Sequence, residues 1–257
     1  MRRACCLGGR IDVWNPRGGV VHDVFRNALN LRFDGAWWTL LAADVPDQPS
    51  GIRLAADTPD VPAVRIGDPA EVRAGHLRIG DALVDCRSAT RWVPDAWPLP
   101  APGLHARLRQ LEVAALPRAW PGAAWMARDV CVALDDDTAL AAAARRVIGR
   151  GPGLTPSGDD VLVGVLTALG MRHVALRDRL ASALSPVLST TTSLSRHLLE
   201  EAALGLPGRA LHELAAALLS GSHLGAAIER ALATGATSGA DAALGLLAGL
   251  RHERVPA

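Results

Sequence analysis

The chain has 257 residues, 49% of them hydrophobic and 21% charged, with a net charge of +1, which suits one large globular domain or two small ones. No basic or acidic excess points to nucleic acid or an anionic membrane. All 27 basic residues are arginine, and lysine and tyrosine are absent, which excludes a Schiff-base lysine, a Walker lysine and a tyrosine acid.

Arg2 and Arg3 precede Cys5-Cys6-Leu7, but Gly8-Gly9-Arg10 follow at once, so a signal-peptide apolar region is missing and no run reaches transmembrane length. The expectation is a cytoplasmic protein with Cys5, Cys6, Cys86 and Cys131 as free thiols; none forms a Cys-x-x-Cys pair. Residues 11–90 read as short strands. Val20 to Phe25 and Trp37 to Leu41 carry β-branched and aromatic bias, and Asp34-Gly35 and Gly80-Asp81 sit where hairpin turns belong. An open barrel or sandwich is expected. His22, Asp23, Arg26, Asn27 and Asn30 form a polar cluster that suits either a site or ordinary loops.

Residues 93–121 are proline-rich, with Leu104, Leu108 and Leu111 on one helical face. Trp92, Trp97, Trp120 and Trp125 around this connector read as interdomain packing, with an aromatic ligand cage as the alternative. Asp135-Asp136-Asp137-Thr138 opens an alanine-rich helix; its carboxylates suit the helix dipole better than a metal. The fold class is therefore α+β: a β-rich domain over 1–98, then an α-helical domain over 99–257.

Within the second domain, 149–160 (Gly-Arg-Gly-Pro-Gly-Leu-Thr-Pro-Ser-Gly-Asp-Asp) is a shaped loop leading into a helix. Helices are expected near 158–170, 172–184, 194–204, 208–220, 222–234 and 239–252. Ser157-Gly158-x-Asp160 with Gly164, Leu166 and Leu169 recurs 81 residues on as Ser238-Gly239-x-Asp241 with Gly245, Leu247 and Leu250. Capping boxes with Ser at the N-cap explain Ser and Asp but not the glycines, which suggest close backbone approach. A third start, Ser189 to Arg196, is rich in hydroxyls. Three such helix starts converging make an anion site, and capping alone is the competing reading. His212-Glu213 lacks the second zincin histidine, Gly151-x-Gly153 lacks the third dinucleotide glycine, and no Gly-x-Ser-x-Gly elbow occurs.

The run Gly151 to Asp160 with Leu162-Val163-Gly164 resembles the signature of the AllH family. So do Thr191-Thr192-x-x-Ser195 before Leu198 to Ala202, Thr237-Ser238-Gly239-x-Asp241, and Val21-His22-x-Val24-Phe25 with Asn30. The family takes its name from a subunit of oxamate carbamoyltransferase in anaerobic allantoin (purine) breakdown. The resemblance implies interconversion of oxalurate plus phosphate with oxamate plus carbamoyl phosphate, alongside an FdrA-like subunit and one further subunit. Ala236 stands where many relatives have histidine, and Val161 where phenylalanine is common.

On that resemblance Ser157, Asp159 and Asp160 are the catalytic candidates. Gly153, Thr155, Gly158, Thr191, Ser195, Thr237, Ser238, Gly239 and Asp241 are the substrate-binding ones. Amides and hydroxyls of Thr155, Ser157, Gly158, Ser238 and Gly239 would hold phosphate and the carbamoyl oxygen. Asp159 would orient or deprotonate the amide nitrogen, Asp160 and Asp241 being engaged in capping. Arg150, Arg196 or a divalent ion such as Mg2+ would screen the carboxylates; no resident metal or other cofactor is expected. A non-catalytic anion-binding or partner-docking subunit is the alternative.

Overall fold

The computed structural model describes residues 1–252. Its backbone divides into two compact units, residues 1–94 and residues 95 onward. Each encloses its own apolar core.

The first unit holds β1 (Arg2–Gly8), β2 (Arg17–Val24), β3 (Ala28–Phe33), β4 (Ala36–Leu41) and β5 (Gly51–Leu54). It continues with β6 (Pro69–Arg73), β7 (His76–Ile79), β8 (Ala82–Asp85) and β9 (Thr90–Trp92). They form one sheet in the order β5-β4-β3-β2-β6-β7-β8-β1-β9. β1 also pairs with β5, so the sheet closes into a barrel rather than staying open. Both expected hairpins are present: Phe33 faces Ala36 and Ile79 faces Ala82. β1 lies outside the stretch that reads as strands. Its inward residues, Ala4, Cys6 and Leu7, are small or shifted by a bulge between Ala4 and Cys6, which blurs the period of two.

The polar cluster of this unit is a hydrogen-bonded row across β2, β3 and β4. Buried Thr39 Oγ1 donates to Asn30 Oδ1 at 3.0 Å, and Asn30 Nδ2 donates to Asp23 Oδ2 at 3.0 Å. His22 Nδ1 lies 3.1 Å from the same carboxylate oxygen. Arg26 and Asn27 are exposed beside it. The four cysteines are free, and burial pushes the Cys86 and Cys131 thiols up to about 12, far from the reactive thiolate range.

The second unit contains α1 (Leu104–Ala115), α2 (Ala123–Val132), α3 (Asp137–Val147), α4 (Ser157–Arg172) and α5 (Val174–Leu184). After a 3-10 turn at Ser185–Thr190 come α6 (Ser193–Ala203), α7 (Arg209–Ser220), α8 (Leu224–Leu232) and α9 (Ser238–Arg251). α2 is hidden from sequence reading by Trp120-Pro121-Gly122 and by the small alanines Ala123 and Ala127 on its buried face beside Met126 and Val130. Trp125 does not pack as expected; it is exposed. Trp97 stacks on His212, ring centroids 4.4 Å apart, and His212 Nε2 lies 3.0 Å from Asp95 O, so this histidine is a buried packing residue. At the start of α3, Asp136 Oδ1 caps Thr138 N at 2.8 Å and Ala139 N at 3.0 Å, while Asp137 pairs with Arg179.

α4 and α9 are buried along most of their surface, the mark of central helices around which the others pack. They cross in the same direction. At the crossing an added Cβ on Gly164 would fall 2.0 Å from Ala242 O, and one on Gly245 would fall 2.0 Å from Val161 O. These two contacts exchange under the 81-residue offset, so a local two-fold axis relates the helices. Glycine at both places lets two backbones touch.

Candidate functional site

The loop before α4 and the loop before α9 are two versions of one design. Gly158 N donates to Arg150 O at 2.8 Å, and an added Cβ there would meet Val147 O at 1.9 Å. Gly239 N donates to Thr234 O at 2.9 Å, and its Cβ would meet Ala231 O at 1.9 Å. The carbonyls beneath are 84 residues apart (147 to 231) while the helices are 81 apart (157 to 238), so the first loop is three residues longer. Thr155, the counterpart of Ala236 in the second loop, has its Oγ1 2.9 Å from Ser238 Oγ of the other copy.

Two roles read from sequence change here. Ser157 and Ser238 occupy the first helical position instead of the N-cap, which falls to Pro156 and Thr237, and neither helix start has a side-chain cap. Ser157 is buried, and Ser238 Oγ lies 2.9 Å from Thr155 Oγ1 and caps no amide of its own helix. The amides of Gly158 and Gly239 donate within the chain, so these glycines serve close approach and their N–H groups are not presented to a ligand.

The start of α6 joins the same loop. Thr192 Oγ1 donates to Leu154 O at 2.6 Å and caps Ser195 N at 3.1 Å, and Ser195 Oγ lies 3.5 Å from Leu154 O. Thr191 Oγ1 donates to Asp159 Oδ2, whose other oxygen accepts from Gly149 N at 2.7 Å. Three helix starts therefore meet at one loop. Gly153, exposed, lies at its tip, and Thr237 precedes α9. Leu154 O and Gly149 N, which organise this convergence, are backbone atoms that no residue-type pattern reveals.

The carboxylates divide into distinct environments. Burial raises the carboxyl of Asp159 above its ordinary value, opposed by its bonds from Gly149, Thr191 and Ser195. Both of its oxygens are occupied, so Asp159 fastens the loop to α6. Asp160 is pushed up to about 8, chiefly by burial; Ser238 and Thr155 oppose the rise and Asp241 adds to it. It is a neutral acid across much of the physiological range. Asp241, wholly buried, accepts from Trp120 N at 2.8 Å through Oδ1. Ser157 Oγ, Asp160 Oδ2 and Asp241 Oδ2 are buried and have no hydrogen-bond partner. Such atoms are costly unless a ligand or water satisfies them. Arg150 Nε donates to Arg146 O and Arg196 Nε to Leu188 O, so the expected screening cations are held by backbone carbonyls.

Among the described residues no three His, Cys, Asp or Glu side chains gather as a metal site requires. Asp160, which burial holds largely neutral, and Asp241 together make a poor donor set for Mg2+.

Two family models match the chain: oxamate carbamoyltransferase subunit AllH over residues 147–250, and the AllH family N-terminal domain over residues 7–91. The chain belongs to the AllH family. The first match begins at the end of α3 and takes in both loop copies, α6 and nearly all of α9, and the second takes in β2 to β8, most of β9 and the end of β1. No curated protein and no solved structure matches the chain. The family name describes a subunit of a multicomponent enzyme, and no helix among the described residues is long and apolar enough to cross a membrane.

Proposed function

We propose that this AllH-family subunit takes part in carbamoyl transfer between oxalurate plus phosphate and oxamate plus carbamoyl phosphate, working with an FdrA-like subunit and one further subunit. The observation that carries the reading is the meeting of α4, α6 and α9 at one loop, with three buried oxygens, Ser157 Oγ, Asp160 Oδ2 and Asp241 Oδ2, left without hydrogen-bond partners. This cluster lies within the segment matched by the subunit model.

In the proposed reaction a phosphate oxygen attacks the terminal carbamoyl carbon of oxalurate. The bond from that carbon to the oxamate nitrogen breaks, and the nitrogen takes a proton as it leaves. Asp160 supplies that proton, because its burial keeps it protonated where an ordinary aspartate is ionised. Ser238 and Thr155 flank it and support the charge developing on the carbamoyl oxygen. Asp159 holds the loop in place.

Asp160→Asn and Ser157→Ala, assayed in the assembled complex with oxalurate and phosphate, test this. Loss of carbamoyl phosphate formation by about 100-fold or more for Asp160→Asn is expected, the usual worth of a general acid. Undiminished formation with both variants removes the site from the chemistry. A second reading, a non-catalytic anion-binding or docking subunit, is favoured by one observation: the unpartnered atoms are shielded from solvent. It predicts that undiminished result.

A further inference from the structure

The polar row of the barrel lies outside the core. Asp23 faces Asn30, and Asn30 faces Thr39, in register across β2, β3 and β4. Their strand neighbours Leu29, Leu31, Trp38 and Leu40 fill the interior, so strand alternation puts the row on the outer face. A bulge between Val21 and Asp23 leaves His22 without a partner on β3. Bulges re-aim side chains. This one sets His22 against Asp23, Nδ1 3.1 Å from Oδ2. The Trp37 ring packs against the imidazole, and a third of the His22 side chain stays exposed.

The hydrogens in the row all run one way. Thr39 donates to Asn30, and Asn30 donates to Asp23. A carboxylate accepts and returns nothing, so His22 can join the row only by donating from Nδ1. The neutral ring then carries its lone pair on Nε2. Nδ1 is buried and in no hydrogen bond, so the 3.1 Å contact is poorly aligned; contacts of this kind tighten once a ligand engages the far nitrogen. The turn that closes the β2–β3 hairpin, with Phe25 N donating to Ala28 O at 2.9 Å, holds Arg26. Arg26 is exposed and has no ion pair among the described residues. A bare acceptor and a free positive charge thus stand four residues apart at one end of the hairpin. We infer that His22 is the hydrogen-accepting residue of a ligand site on the outer face of the barrel, and that this site takes small oxyanions that still carry a hydrogen. The O–H meets Nε2, and the negative charge meets the potential of Arg26. Asp23, held by Asn30 and Thr39, is the positioning residue that fixes which nitrogen accepts. The inference concerns the barrel alone and does not rest on the carbamoyl-transfer reading.

Inorganic phosphate and sulfate are the probes, at about pH 8.5, where an ordinary imidazole is neutral. Both are then tetrahedral dianions, and only phosphate bears a hydrogen. The full chain, with isotope-labelled histidines, is titrated with each and read by nitrogen NMR; the His22 signals are assigned by their loss in His22→Gln. The free chain should show Nδ1 as the protonated nitrogen. Phosphate should shift the Nε2 signal saturably at concentrations at which sulfate leaves it in place. Asp23→Ala should abolish the Nδ1 preference and weaken phosphate by about ten-fold or more, the scale of one hydrogen bond to a charged group. A proton on Nε2 in the free chain, an equal response to sulfate, or no response to phosphate overturns the inference. These measurements on the parent chain need no variant, so they decide the matter even where Asp23→Ala fails to fold.

Discussion

Asp159 and Asp160 are neighbours in sequence with opposite duties. Asp159 has a donor on each oxygen, while Asp160 keeps one oxygen bare and is pushed up to about 8 by burial. The consequence for stability has a definite sign. Between roughly pH 4 and pH 8 the folded chain holds a proton on Asp160 that the unfolded chain has released. The unfolded state gains from that release, so this group lowers stability as pH rises, by at most about 1.4 kcal/mol per pH unit. Asp160→Asn removes the titration. Its stability relative to the parent should therefore improve from pH 5 to pH 8, measured by urea unfolding; a pH-independent difference would show that Asp160 titrates normally in the fold.

The paired elements α3–α4 and α8–α9 share one loop-to-helix design and meet through glycine. Gly164→Ala places a methyl 2.0 Å from Ala242 O, a backbone atom that cannot rotate away. Parting the two helices at their crossing should cost about 3 kcal/mol or more, seen as a lowered urea midpoint. Gly170→Ala, which meets only the flexible Arg177 side chain, is the tolerated control. The glycine spacing and the constant offset were readable in sequence, because close helix contact leaves few residue choices. The placing of Ser157 and Ser238 one residue inside their helices was not, since capping and site geometry demand the same residue types. Nor was the exhaustion of Asp159, whose partners include the backbone N–H of Gly149. The three-residue difference between the two loops is likewise passed over by a motif comparison anchored on the helices.

At the scale of the whole molecule, two apolar cores lie in two units divided between Pro94 and Asp95. A barrel that closes on itself and fills its interior from its own strands has what it needs to fold alone. A fragment of residues 1–94 should therefore unfold in one cooperative urea transition, and a gradual non-cooperative loss of signal would refute that independence. Closure has a kinetic side as well. β1 finds its partners far along the chain, Ala4 against Leu54 and Cys6 against Thr90. On a translating ribosome those partners emerge much later, so β1 waits with its hydrogen-bonding groups bare and open to capture by other nascent chains. Slower elongation or a lower growth temperature changes how long that vulnerable interval lasts, and with it the yield of correctly closed barrels.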